Sequence, residues 1–142
     1  MNNSILIMLL QFACLIGCGN NQKPQELQLK PHIIKIAIEY QNLDIETPIR
    51  IDCENFNTYF NNNIKVKVID DSVNINKLSN YINQTKNKGK KAPKIDVRFK
   101  MKIIYSDGKN KEICGNESAV EIGELDYLVD VDFSHYLESI LK

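Results

Sequence analysis

Residues 95–114 read IDVRFKMKIIYSDGKNKEIC. Apolar Ile95, Val97, Phe99, Met101, Ile103 and Tyr105 alternate with polar Asp96, Arg98, Lys100 and Lys102. Alternation with period two is the pattern of a β-strand that buries one face and wets the other. Its length makes this the longest strand expected in the chain. Ser106-Asp107-Gly108-Lys109 supplies a hairpin turn, and residues 111–114 return as the partner strand. A tight turn between consecutive strands forces antiparallel pairing.

The flanks extend the same pattern. Ile34, Ile36, Ile38 and Tyr40 alternate with Lys35, Ala37 and Glu39 as a first strand, and Ile49, Ile51 and Cys53 line one face of a second. Phe56, Tyr59 and Phe60 have the spacing of a short helical turn that buries its aromatics. Ile64, Val66 and Val68 alternate with Lys65 and Lys67 as a third strand. Asp70-Asp71-Ser72 can cap a helix whose apolar stripe is Ile75, Leu78, Tyr81 and Ile82. Residues 86–94 form a lysine-rich loop. Beyond the hairpin, Val120 and Ile122 mark a short strand, Gly123-Glu124 a two-residue turn, and residues 125–129 its partner. Asp132 is placed to cap a last helix carrying Phe133, Leu137, Ile140 and Leu141.

The predicted fold class is α+β: a mainly antiparallel sheet of about six strands, with two or three amphipathic helices on one face. The expected organisation is a leader over residues 1–17, a polar tether over 18–30, and a single domain over 31–142.

Residues 4–17 are mostly apolar, carry no charge and end in Leu15-Ile16-Gly17-Cys18. The stretch is shorter than the roughly 20 residues of a membrane span. It matches the apolar region of a secretory signal peptide, with small Gly17 at the cleavage position. A cysteine directly after that residue resembles the lipobox of a bacterial lipoprotein precursor. The resemblance covers residues 1–18. It implies cleavage before Cys18, lipidation of the Cys18 thiol, acylation of the new amino group, and a lipid anchor on the extracytoplasmic side of a membrane. Gly19, where an Asp would otherwise be informative, points within the same resemblance to the outer membrane. Met1-Asn2-Asn3-Ser4 lacks the basic cluster that usually opens such leaders. The tether contains Pro24, has no apolar face, and spans at most about 40 Å when extended.

Two further cysteines belong to the domain. Cys53 and Cys114 form an even pair which, in an oxidising compartment, reads as a disulfide worth roughly 4 kcal/mol in the chain-entropy picture. Two buried free thiols are the competing reading. Lys and Arg total 18 and Asp and Glu total 18, so no net charge argues for nucleic acid as a partner. The charges are nevertheless segregated along the chain: residues 86–102 are strongly basic and residues 112–138 strongly acidic. Such segments either form opposed faces that steer a partner or pair with each other across neighbouring strands.

Catalytic patterns are sparse. His32 opens the first strand. His135 lies near Asp130 and Asp132 in a spacing that could ligate a cation, although two aspartates at a helix start also serve as caps. No nucleophile elbow and no glycine-rich phosphate loop is present. No catalytic residue, metal ligand or cofactor is assigned. The expectation is a non-enzymatic lipoprotein that binds another protein as inhibitor, immunity-type protector or envelope accessory, touching the membrane through its anchor and not binding nucleic acid. The second expectation is a small-ligand or cation-binding lipoprotein, with Tyr40, Tyr81, Tyr105 and Tyr127 lending polar tips to a cavity.

Overall fold

In the computed structural model residues 30–141 are described. The leader, Cys18 and nearly all of the tether lie outside them. Six strands form one open antiparallel sheet: β1 (Ile33–Tyr40), β2 (Lys65–Ile69), β3 (Phe99–Tyr105), β4 (Asn110–Gly115), β5 (Ala119–Ile122) and β6 (Leu125–Leu128). Their order across the sheet is β2-β1-β3-β4-β5-β6. The helices are α1 (Phe56–Phe60), α2 (Ser72–Lys88) and α3 (Val131–Leu141). The expected α+β class is what the chain adopts. None of these helices is long and apolar enough to cross a membrane.

Local chemistry explains most element boundaries. The β3–β4 hairpin closes with Gly108 at φ +82°, a conformation L side chains rarely adopt. Asp71 caps α2 by accepting the Asn74 N–H at 2.9 Å. Gly89 ends α2 by donating its N–H to the Thr85 carbonyl. At α3 the capping residue is Asp130, not Asp132: its carboxylate accepts the Phe133 N–H at 2.8 Å, and Asp132 sits in the first turn.

The main core lies between one face of the sheet and α2 with α3. Ile36, Ile38, Phe99, Met101 and Val120 meet Leu78, Phe133 and Leu137 there. Each such side chain contributes about 2 kcal/mol on burial. The Tyr81 and Phe133 rings stack at 5.2 Å between the two helices.

The opposite face is not wholly wet, as the alternation implied. Residues 51–64, with α1, fold back over part of it and bury a second cluster of Ile51, Phe56, Phe60, Ile95, Val97 and Ala119. The expected strand at residues 49–53 is therefore irregular chain. Its one strand-like contact is the Ile51 carbonyl accepting the Val97 N–H at 2.8 Å. Ile49 is left exposed.

Three more expectations about facing change. The long strand begins at Phe99, because Ile95 and Val97 pack in the second cluster while Phe99, Met101 and Ile103 pack in the first. The chain changes sides at residues 96–98, where Val97 donates to Ile51 instead of to a sheet neighbour. In β1, the register against β3 shifts between Ile33 and Lys35. That bulge takes Ile34 out of phase, so it is 46% exposed. In β2, Val66 and Val68 are 62% and 46% exposed, not buried. They stand opposite Glu39 and Ala37, whereas buried Ile69 stands opposite Ile36. A strand can bury only one parity against a core, and here Ile69 decides it.

Candidate functional site

Arg98 is the one buried charged residue among those described. All its N–H donors are used. Nε donates to the Ile45 carbonyl at 2.9 Å, Nη1 to Asp96 Oδ1 at 2.8 Å and the Val97 carbonyl at 2.9 Å, and Nη2 to Asp96 Oδ2 at 2.6 Å and the Thr47 hydroxyl at 3.0 Å. Asp96 Oδ1 also accepts the Ile51 N–H at 2.7 Å. Burial works to raise the Asp96 pKa, but the hydrogen bonds from Arg98, Ile51 and Thr47 outweigh it and hold the carboxyl below its usual range. The pair borders a shallow groove of about 400 Å³ with Glu46, Asn116 and Glu117 on its rim. Because every guanidinium donor already has an internal acceptor, the cluster's work is to fasten the loop over residues 42–51 to the start of β3.

A second groove, of about 370 Å³, runs beside the disulfide and gathers Asp52, Glu54, Glu121 and Asp126 together with Arg50 and Lys94. Burial, then Asp126, Asp52 and Glu54, push the Glu121 pKa up. Asp52 moves the other way, held low by the backbone N–H and side-chain amide of Asn55. Among the described residues no group of three or more His, Cys, Asp and Glu is arranged to hold a metal ion. A third groove, of about 620 Å³, borders the start of β1 and is lined by His32, Asp70, Ser79, Asn83 and Tyr105 among others.

The residues singled out from sequence fall as follows. Cys53 and Cys114 are joined by a disulfide, with Cα atoms 5.7 Å apart. Cys18 lies outside the described residues. His32 is exposed at one end of the third groove, and His135 is exposed on α3. The four tyrosines do not converge. Tyr81 stacks on Phe133, Tyr40 lies beside Lys65, Tyr105 lines the third groove, and Tyr127 sits in β6 where the backbone bridges to that of Lys91. The basic and acidic segments interleave: Lys100 pairs with Glu112 at 3.4 Å, and Lys102 stands opposite Glu112 in register.

What sequence reasoning missed is the contrast between the sheet's two edges. The β6 edge is closed by the chain itself. Leu128 donates its N–H to the Lys90 carbonyl at 2.8 Å, and Ala92 donates to the Asp126 carbonyl at 2.9 Å. Among the described residues β2 pairs only with β1. Its free edge presents Val66 and Val68 on the sheet's outer face, alternating with exposed Lys65 and Lys67. The available signal was Ile69, whose burial in a strand with Val66 and Val68 requires those valines to face out. Comparison with protein families, curated proteins and solved structures finds no match to this chain.

Proposed function

We propose that the chain is a small extracytoplasmic lipoprotein, anchored in a membrane through Cys18, whose domain acts by binding another protein. An inhibitor, an immunity-type protector and an envelope accessory are the forms this reading takes. The observation that carries it is the finishing of the sheet. One edge is closed internally, while the other has no strand paired to it among the described residues and carries two exposed valines, and unpaired edges recruit strands. Leu15-Ile16-Gly17-Cys18 supports the address, and so does the Cys53–Cys114 bridge, because disulfides persist in oxidising compartments. Gly19 favours the outer membrane. No catalytic step is assigned.

The test is affinity purification of the tagged full-length protein from its own cells after mild cross-linking. One stoichiometric protein partner supports the reading, and no partner above background rejects it. The anchor is tested separately by fractionation. Cys18→Ala should move the protein out of the membrane fraction, and retention there after high-salt washing would refute lipidation at Cys18.

A further inference from the structure

We infer that the free edge of β2 is the docking site, and that its occupant is an extended segment of a partner protein in which acidic and apolar residues alternate. This rests on the protein-binding reading and names the surface and the chemistry of the partner.

The argument begins with pairing geometry. A strand added antiparallel to β2 places its residues opposite Lys65, Val66, Lys67 and Val68, each on the same face of the sheet as its neighbour. Val66 and Val68 lie on the outer face with Glu39 and Ala37. Residues opposite them bury area if they are apolar. Lys65 and Lys67 lie on the helix side with Tyr40 and Ile38. Residues opposite them gain if they are acidic, since oppositely charged cross-strand pairs stabilise and like pairs repel. Lys65 also lines a groove shared with Glu138 and Tyr40, so Lys67 carries more of the preference for an acid. On the outer face Glu39 is already engaged by the Asn57 amide at 2.7 Å. Exposed Lys35 and Lys102 lie on that same face in β1 and β3.

The same alternation disfavours a second copy of this chain as occupant. With β2 paired to itself and the faces matched, a register centred on Val66 sets Lys65 against Lys67, and one centred on Lys67 sets that lysine against itself. Lysine on an edge strand is a known guard against such self-pairing. Here it leaves the edge open to a segment of opposite charge, and two exposed valines on the outer face add an apolar contact that a merely guarded edge does not need.

The probe is a short synthetic peptide in which glutamate and valine alternate, added to the purified full-length chain in mild detergent and followed by backbone amide NMR and hydrogen exchange. Slowed exchange and shifted amides over residues 65–69 are expected. Lys65→Glu with Lys67→Glu should weaken binding roughly tenfold and transfer preference to a second peptide in which lysine replaces each glutamate. Val66→Thr with Val68→Thr, which keeps strand propensity, should weaken it with no change of charge preference. N-methylating alternate amides of the peptide should abolish binding. The inference is overturned by no binding, by shifts centred elsewhere, by equal binding of the N-methylated peptide (charge attraction only), or by concentration-dependent pairing of the chain with itself through β2. A cellular partner whose cross-links map away from β2 overturns it too, while leaving the protein-binding reading intact.

Discussion

The Tyr136 hydroxyl donates a hydrogen bond to the side-chain oxygen of Asn74 at 2.8 Å, joining α3 to the first turn of α2. Asn74 in turn gives its backbone N–H and its amide to the two oxygens of Asp71, at 2.9 and 3.0 Å. The cap of one helix is thus fixed to the flank of the other by a relay of three side chains. Lys77 lies over the Tyr136 ring, 4.4 Å from its centroid. Tyr136→Phe keeps the packing and removes the donor, so it should lower stability by about 1 kcal/mol. A double-mutant cycle with Asn74→Ala should return a coupling energy above about 0.5 kcal/mol. Strict additivity in urea denaturation would show that the relay is energetically idle.

The Asp96–Arg98 pair predicts a pH dependence. Its folded carboxyl titrates below the ordinary 3.8. Its stabilisation is therefore complete above that value and is lost as pH falls through the lower, folded pKa. Asp96→Asn should cost about 2 kcal/mol at neutral pH, less than a fully buried pair would, since the Asp96 side chain is 35% exposed. The variant should also lose less stability than the parent on acidification. Urea midpoints measured at neutral and acidic pH check both, and parallel losses in the two proteins would assign the acid sensitivity to other groups.

The disulfide acts on the second cluster more than on the first, because Cys53 and Cys114 both pack there. Replacing both cysteines by alanine should cost about 4 kcal/mol. Amide exchange at Val97, whose N–H is held by Ile51, should rise before exchange in β1 does. Uniform loss of protection would mean that the two faces unfold as one unit.

Gly115 ends β4 where a Cβ would stand 2.7 Å from the Phe99 ring and 2.6 Å from the Ala119 carbonyl oxygen. Gly115→Ala should therefore destabilise by about 2 kcal/mol through overpacking. A thermal midpoint unchanged from the parent would show that β4 and β5 can separate to admit the methyl group.

Features set by neighbouring residues were legible in the sequence. The Asp107-Gly108 hairpin, the Gly123-Glu124 turn, the Asp71 cap and the α2 stripe each need only a few consecutive positions. The cysteine pair followed from counting. Facing was less legible wherever a distant group decided it. Arg98 reads as a wet-face residue until its side chain meets the Ile45 carbonyl, 53 positions away. Val66 and Val68 read as core until Ile69 takes the place beside Ile36. The open edge was hidden for the same reason: nothing local in β2 reveals that β1 separates it from β3.

The bridge between Cys53 and Cys114 spans 61 positions, making a covalent ring that contains α1, β2, α2, β3 and most of β4. β1 lies outside that ring, yet it is paired on both sides by strands that belong to it. A protease nick in the exposed β3–β4 turn would leave one covalent molecule. A nick after exposed Arg50 would leave β1 as a separate peptide, held in the middle of the sheet by hydrogen bonds and packing alone. A single cut before the ring thus separates a removable stave from a closed hoop, and the two could be expressed apart and recombined. On the lipoprotein reading, that same cut would leave the stave with the anchor and let the hoop go.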